Sequence, residues 1–275
     1  MTVQTALQQG SRLLEDAGVA EPRLTAEVLL CHALGRERAY LYSHPEADLE
    51  DAARIHYGRS LRERLQGKPT QYITRRQEFY GREFTVSPDV LIPRPETEHV
   101  VEAALALRGS VHRVVDVGCG SGAIAVTLRL EMGCQVWGTD VSAAALKVAA
   151  ANAARLNAPV RFVACDLASA FGARTMDLVV SNPPYVALTD GPGLQREVRE
   201  WEPHVALFAG ETGLEIYARV VAEAERVLRP GGALIVELGF KTHDRVRAML
   251  GASWQDVRMA PDLAGIPRVL VARLE

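Results

Sequence analysis

The feature that most constrains the fold is a repeated rhythm of strand, turn and helix that begins after Arg113. Apolar, β-branched runs occur at residues 114–117, 135–139, 160–164 and 178–180, and segments of turn or helix composition separate them. Strands separated in this way favour a parallel sheet with helices packed on its faces. The chain is therefore predicted to be an α/β protein whose strands end at one common edge.

The same rhythm continues towards the end of the chain. The pattern predicts a helix at 213–228, a turn at 229–232, a strand at 233–238, a short helix from Thr242 and a terminal strand pair ending near 268–273. Together with the first four strands, these elements complete one sheet.

The turn after the first strand is rich in glycine. Glycine lets the backbone come close to a ligand, and a turn between a strand and a helix lies where parallel sheets bind ligands. The spacing is G-x-G-x-G, which differs from the G-x-G-x-x-G fingerprint of pyrophosphate binding, and such turns also serve plain packing. The residues of the turn are Gly118, Cys119, Gly120, Ser121 and Gly122.

Two further strand ends carry acidic residues. The second strand ends at Asp140, where a carboxylate can accept hydrogen bonds from the two hydroxyls of a ribose. The third strand ends at Cys165, Asp166 and Leu167, where Asp166 and its neighbour can meet an adenine. Each acid alone can also cap the next helix, but three aligned strand ends favour a ligand site.

A rigid polar tip follows the fourth strand and consists of Asn182, Pro183, Pro184 and Tyr185. The prolines end the strand, and Pro183 restrains Asn182 to an extended backbone. Because neither proline has an N–H, hydrogen-bond acceptors dominate the tip. The Asn182 side-chain oxygen and the Pro183 carbonyl can accept both hydrogens of a planar NH₂ group, and Tyr185 can pack flat against that group.

This tip suits methyl transfer to an amide or an exocyclic amine. The lone pair of such a nitrogen is delocalised, so two acceptors that hold the nitrogen also make it more electron-rich as it attacks. For Asn-Pro alone, the favoured interpretation is structural, namely an asparagine that caps the end of a strand. For all four residues directly after a buried strand, a functional role is favoured.

The first part of the chain has a helical pattern without strands. Apolar residues recur at helical spacing from Thr2 to about Gly67, and a glycine and a proline stop the last run. A small all-helical domain is predicted. Its basic residues can dock a partner, although such runs are usually solvated helix faces. The apolar set includes Val3, Leu7, Leu13, Leu14, Leu24, Leu29, Ile55 and Leu65, and the basic set is Arg59, Arg62, Arg64 and Lys68.

Residues 71–92 are rich in β-forming side chains, beginning with Tyr72 and Ile73, and predict a hairpin that joins two domains. A helix then opens around Pro95 with acidic residues in its first turn. Two prolines position Arg94, so Arg94 either lines a pocket or merely precedes a capped helix. Residues 186–210 are rich in loop-forming residues and predict either a substrate-shaping lid or a variable surface loop.

Composition narrows the classes of function. The 275 residues include 31 basic and 34 acidic side chains, which gives no global electrostatic footprint for a nucleic-acid backbone. No apolar run reaches membrane-spanning length, and no histidine spacing or G-x-S-x-G motif supports metal or serine chemistry. A metal-free, monomeric cytoplasmic protein is expected. The dispersed cysteines, which indicate neither disulfides nor zinc, are Cys31, Cys119, Cys134 and Cys165.

Together, the glycine turn, Asp140, Asp166 and the Asn-Pro-Pro-Tyr tip resemble a class I methyltransferase that uses S-adenosylmethionine. More narrowly, the whole chain resembles the HemK/PrmC family, the glutamine N5-methyltransferases of peptide chain release factors. The Arg-Pro-Glu-Thr-Glu segment and the Asn-Pro-Pro-Tyr segment occurring in one chain are far more specific for this family than either segment alone. The matching segments are residues 78–81, 91–98, 116–125, 202–203, 206–207 and 262–265.

The resemblance implies a class I methyltransferase fold with a seven-stranded, mostly parallel sheet. It implies a helical substrate-docking domain at 1–74, a β-hairpin linker at 75–93 and a catalytic domain at 94–275. It also implies that the tip, Asn182, Pro183, Pro184 and Tyr185, is catalytic and holds the glutamine of a Gly-Gly-Gln motif. Arg94 is assigned to the substrate. The cofactor is assigned to Gly118, Cys119, Gly120, Ser121, Gly122, Asp140, Asp166, Leu167 and Asn182.

Four positions depart from the family pattern. Thr25 and Thr212 stand where relatives usually show aspartate, Arg75 stands where glycine is common, and Leu167 stands where an aromatic residue is common. Leu167 would give apolar packing without stacking. The departures affect the details of docking and leave the tip unchanged.

The predicted reaction is an in-line displacement, in which the glutamine nitrogen attacks a methyl group on a sulfonium without a strong general base. Two other NH₂ acceptors are alternatives: the glutamine of a ribosomal protein, and N6 of adenine in DNA, which requires a basic cleft and access to an unstacked base. A non-catalytic cofactor-binding adaptor is a third alternative, which the intact tip disfavours.

Overall fold

The computed structural model describes residues 1–262 and 264–275. The chain forms two compact units: Met1–Arg76 with Gln195–Trp201, called here the helical unit, and Gln77–Leu194 with Glu202–Glu275, called the sheet unit. Leu263, which belongs to the matching segment 262–265, lies outside the described residues. Within the described part of the chain, no helix is both long and apolar enough to cross a bilayer.

The secondary structure alternates as expected after Arg113. The helices are α1 (Val3–Asp16), α2 (Pro22–Leu34), α3 (Arg38–Ser43), α4 (Asp51–Leu65), α5 (Thr70–Thr74), α6 (Glu98–Leu105), α7 (Ala123–Met132), α8 (Ala143–Arg155), α9 (Arg196–Trp201), α10 (His204–Leu207), α11 (Glu215–Val227) and α12 (His243–Arg247). The strands are β1 (Arg76–Phe79), β2 (Arg82–Thr85), β3 (Arg113–Val117), β4 (Gln135–Asp140), β5 (Arg161–Ala164), β6 (Met176–Ser181), β7 (Val186–Ala187), β8 (Phe208–Gly210), β9 (Leu228–Glu237), β10 (Trp254–Pro261) and β11 (Pro267–Leu274).

The helical unit is built from α1–α5 and α9, and the prediction of a helical N-terminal region is confirmed. The Thr2 side chain caps α1 by accepting from the Thr5 N–H at 3.2 Å. Leu7 and Leu14 of α1 are buried in the same cluster as Leu29 of α2. Ile55 belongs to the same apolar pattern but is 69% exposed, because the pattern is wider than the stripe that α4 buries.

The β-hairpin is shorter than the sequence pattern predicted. Tyr72 and Ile73 lie in α5, which corrects their prediction as the start of the hairpin, because a single helical turn follows Pro69 before the chain extends. Strands β1 and β2 form a two-stranded sheet. Phe79 and Phe84 of these strands pack edge to face in the core of the sheet unit, so the hairpin is anchored there.

The central sheet has seven strands in the order β10-β11-β9-β6-β3-β4-β5. Strands β5, β4, β3, β6 and β9 run parallel, and β11 pairs antiparallel with both β9 and β10. The predicted α/β fold with a mostly parallel seven-stranded sheet is therefore confirmed. Parallel neighbours require a crossover connection, which is usually a helix, and this explains the strand–helix rhythm of the sequence.

Successive residues of the central strands serve two separate cores. Val114 and Val180 pack with α6 and α7 on one face of the sheet, whereas Val115 and Val179 pack with α11 on the other. This alternation follows from the two-residue period of a strand. Because both faces are buried, the strands are continuously apolar, and each buried Val or Leu contributes about 1.5–3 kcal/mol.

The register of the sheet brings distant strand ends together. Val117 pairs with Thr139 on one side and with Ser181 on the other, and Ser181 pairs with Val236. The residues that follow these strand positions, among them Asn182 and Glu237, therefore lie along one edge. This is the carboxyl edge, where parallel sheets bind ligands.

Two connections differ from the sequence prediction. The predicted turn at 229–232 lies within β9 as an irregularity in its pairing with β6, because β9 already pairs at Leu228 with Met176 before the chain bulges. The loop-rich segment 186–210 contains β7, a 3-10 helix, α9, α10 and β8. Within it, Gln195–Trp201 belongs to the helical unit.

Candidate active site

The glycine turn and Asp140 form one hydrogen-bonded assembly. The Gly120 N–H donates to Asp140 Oδ2 at 2.9 Å, and the Ser142 N–H donates to Oδ1 at 2.8 Å. The Cys119 N–H also donates to the Thr139 carbonyl at 2.8 Å. Each carboxylate oxygen of Asp140 keeps a second lone pair, so the carboxylate can accept further hydrogen bonds from a ligand.

The backbone of the turn leaves room for a ligand. Gly118 and Gly120 have φ angles of 71° and 53°, in the left-handed region that favours glycine. A Cβ atom placed on either residue would meet no other atom within 4 Å. The turn is therefore an open cradle that a side chain would fill.

Asp116 lies in β3, two residues before the turn, and is completely buried. Its Oδ2 accepts from the Ala125 N–H at 3.0 Å, whereas its Oδ1 is buried without a hydrogen-bond partner among the described residues. Burial raises the pKa of Asp116 to about 7. An unmatched buried acceptor behind the glycine turn suits a ligand that brings hydrogen-bond donors or positive charge.

The ends of β4 and β5 meet beside this turn. The Cys165 N–H donates to the Asp140 carbonyl at 3.2 Å, which joins the two strand ends. Asp166 is exposed and forms an ion pair with Arg219 of α11. Leu167 adopts a φ of 50° and is half-buried against the core on the α11 face.

The tip after β6 is held by a chain of side chains. The Asn182 side-chain NH₂ donates to Thr97 Oγ1 at 3.1 Å, and the Thr97 hydroxyl donates to Glu237 Oε2 at 2.5 Å. Thr97 and Glu237 are buried, whereas Asn182 is half-buried. Burial raises the pKa of Glu237 to about 7.

Pro183 is buried and Pro184 and Tyr185 are half-buried. The Tyr185 ring packs against the backbone at Gly239, where a Cβ atom would come within 2.7 Å of the ring. Burial raises the pKa of the Tyr185 hydroxyl, and the nearby Glu237 carboxylate adds to this effect. The tyrosine therefore stays neutral at physiological pH.

Arg94 is held by an ion pair at the same edge. Its Nη2 lies 2.5 Å from Oε1 of Glu202, whose side chain is 1% exposed. The Ile92 N–H donates to the other carboxylate oxygen at 3.3 Å. Glu202 therefore fixes both the backbone before Arg94 and the guanidinium itself.

Comparison with known proteins identifies the family. The PrmC N-terminal domain family matches residues 5–74, and the methyltransferase small domain family matches residues 99–193. The release factor glutamine methyltransferase of Koribacter versatilis is 46% identical over 99% of both chains. That of Bordetella pertussis is 44% identical over 94% of this chain and 96% of its own. The chain belongs to the release factor glutamine methyltransferase family.

Solved structures of low sequence identity share the fold of this family member. A methyltransferase from Pyrococcus furiosus is 18% identical, with a TM-score of 0.52 over 80% of this chain and 96% of its own. The 16S rRNA N2 G1207 methyltransferase of Thermus thermophilus, solved with AdoMet and guanosine, is 22% identical, with a TM-score of 0.51 over 73% of this chain and 50% of its own.

The structure of this glutamine methyltransferase family member brings most of the predicted site residues to one sheet edge. The glycine turn contacts Asp140 directly, and Asn182 follows a strand that pairs with the strand before the turn. Asp166 is engaged by Arg219. Arg94 is joined to Glu202.

Sequence reasoning missed four acidic or hydroxylic residues of this edge. Thr97 and Glu202 stand inside motifs that carried the family resemblance, but their side-chain partners were not predicted. Asp116 is an acid inside an apolar strand, and Glu237 is an acid at the end of another. The sequence signal that could have identified Asp116 and Glu237 is a carboxylate within an apolar strand, because a buried carboxylate requires a partner or a ligand.

Proposed function

We propose that this protein transfers a methyl group from S-adenosylmethionine to the side-chain nitrogen N5 of the glutamine in the Gly-Gly-Gln motif of peptide chain release factors. The observation that carries the proposal is the position of the Asn-Pro-Pro-Tyr tip, which follows a strand paired with the strand that leads into the open glycine cradle. Family membership supports the same reaction, because relatives that match nearly the full chain are release factor glutamine methyltransferases.

The residues at the cradle fit this cofactor. When bound, S-adenosylmethionine supplies a methyl group on a sulfonium with a neutral thioether as leaving group. Asp140 has lone pairs for ribose hydroxyls, and the open space at Gly118 and Gly120 admits a ligand close to the backbone. Asp116, two residues before the turn, supplies a buried oxygen, Oδ1, that has no hydrogen-bond partner among the described residues. Asp166 and Leu167 are assigned to the adenine side, with the remaining turn residues Cys119, Ser121 and Gly122 completing the cradle.

The tip supplies the orientation of the nucleophile. Asn182 Oδ1 and the Pro183 carbonyl accept the two hydrogens of the glutamine amide, while Pro184 keeps the following backbone rigid and Tyr185 packs against the amide plane. The amide nitrogen gains electron density as it attacks, and its proton leaves to water after the bond to carbon has formed. Positioning therefore supplies much of the rate acceleration, and a strong general base is not needed.

The remaining roles concern the release factor. We assign the helical domain at 1–74 to docking of the release factor. The hairpin at 75–93 links this domain to residues 94–275, which we assign to catalysis. Arg94, which Glu202 holds in place, is assigned to substrate binding. The protein acts as a monomer in the cytoplasm, where translation termination takes place.

The test is methyl transfer from labelled cofactor to purified release factor. The release factor with its Gly-Gly-Gln glutamine changed to alanine is the matched control, and a ribosomal protein and DNA are parallel acceptors. We expect labelling that requires that glutamine. Labelling of only the ribosomal protein or only DNA would contradict the proposed substrate.

A second comparison tests the role of the tip. Asn182→Ala should lower kcat by roughly 100-fold, because one of two acceptors for the nucleophile is lost. Cofactor affinity, measured by calorimetry, should change little, because the glycine turn and Asp140 supply most of the contacts assigned to the cofactor. Equal losses of turnover and cofactor affinity would contradict the assignment of Asn182 to the substrate amide.

A further inference from the structure

We propose that Thr97 and Glu237 are positioning residues that hold the side-chain amide of Asn182 with its oxygen towards the substrate. The proposal rests on the function proposed above, because it assigns a substrate-facing side to Asn182. Two consecutive hydrogen bonds carry it, one from Asn182 to Thr97 and one from Thr97 to Glu237.

The hydrogen bond between Thr97 and Glu237 is buried, and the one between Asn182 and Thr97 is partly buried. The Asn182 Nδ2 to Thr97 Oγ1 distance is 3.1 Å, and the Thr97 Oγ1 to Glu237 Oε2 distance is 2.5 Å. Thr97 is 5% exposed and Glu237 is 3% exposed. Water therefore competes little for these groups, and each depends on the other for its hydrogen bonds.

The number of available hydrogens determines the direction of the chain. An ionised carboxylate only accepts hydrogen bonds, and a threonine hydroxyl has a single hydrogen. Thr97 therefore donates to Glu237, and its oxygen is left to accept from Asn182. Only the NH₂ side of the asparagine amide can face Thr97, since the opposite rotation would place two oxygens against each other with no hydrogen between them.

The rotation of this amide decides whether Asn182 can hold the substrate. With NH₂ on Thr97, the Asn182 oxygen is available to accept from the NH₂ group of the substrate amide. With the amide reversed, two NH₂ groups would face each other, and neither could accept. Thr97 and Glu237 act through Asn182 and need no contact with the substrate.

The charge state of Glu237 therefore controls the chain. Burial raises the pKa of Glu237 to about 7, while the hydrogen bond from Thr97 opposes this increase. A protonated Glu237 can donate to Thr97, which frees the threonine hydrogen for the Asn182 oxygen and favours the reversed amide. The ionised form is the competent one, so turnover is expected to fall as the pH decreases through 7.

Other charged and titratable groups act on this carboxyl from several elements. Glu96, before α6, raises the pKa of Glu237, whereas Arg268 of β11 and Arg94 lower it. The Tyr217 hydroxyl of α11 donates to the Glu237 backbone carbonyl at 2.8 Å. Tyr185, after β6, interacts electrostatically with the same carboxylate.

A spectroscopic test needs no catalytic activity. The chain contains three asparagines, Asn152, Asn157 and Asn182, so labelling with ¹⁵N-asparagine gives three side-chain NH₂ signals. The Asn182 signal, assigned by its loss in Asn182→Ala, should shift with a midpoint near the pKa of Glu237, about 7. Asn152, whose NH₂ donates to the carbonyls of Thr85 and Ser121, is the internal control.

The variants distinguish this chain from general structural effects. Glu237→Gln and Thr97→Val should each abolish the pH-dependent shift of Asn182 while the Asn152 signal stays unchanged. A change in the chemical shift of Asn152 as well would indicate that the variants disturb the whole fold, and it would overturn the positioning role of Thr97 and Glu237. An Asn182 signal that does not respond to pH in the unmodified protein would also overturn it.

Kinetics provide the second readout. Thr97→Val should lower kcat for release factor methylation roughly 10- to 100-fold, with the KM for release factor and the cofactor Kd changed by about twofold at most. Thr97→Ser keeps the hydroxyl and should restore most of kcat. Glu237→Gln should remove the decrease of kcat that is expected below pH 7.

A double-mutant cycle shows whether Thr97 acts through Asn182. In the Asn182→Ala background, Thr97→Val should have almost no further effect, because the group that it positions is absent. An undiminished effect in that background, or a serine variant as inactive as valine, would overturn the proposal. If the unmodified protein does not methylate the release factor, the proposed function fails, whereas the ¹⁵N titration still tests the positioning of Asn182.

Discussion

Arg94 and Glu202 are 108 positions apart in the sequence, yet their side chains form an ion pair in which Arg94 Nη2 lies 2.5 Å from Glu202 Oε1. The glutamate side chain is 1% exposed and the arginine side chain is 33% exposed. Almost all of the desolvation therefore falls on the carboxylate, and the hydrogen bonds from Arg94 and from the Ile92 N–H help to compensate for it.

Arg94→Ala should lower the free energy of unfolding by about 3 kcal/mol, because it removes the Arg94 guanidinium from the buried Glu202 carboxylate. Urea unfolding measures the change. Arg82→Ala is the matched control: the Arg82–Glu131 pair is 24% and 31% exposed, and its loss should cost less than about 1 kcal/mol. Equal losses of unfolding free energy in the two variants would contradict the claim that burial of Glu202 makes its ion pair with Arg94 stabilising.

Asp140→Ala should weaken cofactor binding roughly 100-fold and Asp140→Asn roughly 10-fold. Both changes remove the negative charge, but asparagine keeps one acceptor for the N–H of Gly120 or Ser142. Isothermal titration calorimetry with S-adenosylmethionine provides the measurement. Unchanged affinity in the alanine variant would show that Asp140 does not contact the ribose.

Asp116→Asn should flatten the pH dependence of stability. The pKa of Asp116 is about 7 in the folded protein and 3.8 in the reference state, so the unfolded chain holds fewer protons between these values and stability falls as the pH rises. This penalty amounts to about 3–4 kcal/mol at neutral pH. Urea unfolding at acidic and neutral pH tests it.

The control for Asp116→Asn is Asp190→Asn, since Asp190 is exposed. This variant should retain the pH dependence of the unmodified protein. Glu237, whose pKa is also about 7, contributes in the same direction, so Asp116→Asn removes only part of the effect. A pH dependence as steep as that of the unmodified protein would contradict the raised pKa of Asp116.

Gly10→Ala should destabilise the helical unit by about 1–3 kcal/mol. A Cβ atom on Gly10 of α1 would come within 1.9 Å of the Tyr57 hydroxyl oxygen, and Tyr57 is 3% exposed, so its ring has little room to move. Gly58→Ala in α4 is the matched control, because a Cβ atom there meets nothing within 4 Å. It should raise stability by about 0.5–1 kcal/mol. Thermal unfolding followed by circular dichroism separates the two outcomes.

The sequence predicted the α/β class, the helical N-terminal region and the family, and all three predictions are confirmed. These features depend on local signals, namely the period of apolar residues and the glycine and proline positions. Local signals failed at Tyr72 and Ile73, where β-forming residues lie in a helical turn. They also failed at 229–232, where turn-forming residues lie within β9.

Sequence alone determined which chemical groups the tip contains, because the two prolines remove donors and leave acceptors wherever the segment lies. Only the tertiary structure decided which way the Asn182 amide turns. Its partner Thr97 is 85 positions away, and the partner of Thr97, Glu237, is a further 140 positions from Thr97. No local pattern encodes such a chain of contacts, since the strand register and the packing of the turn before α6 bring the three side chains together.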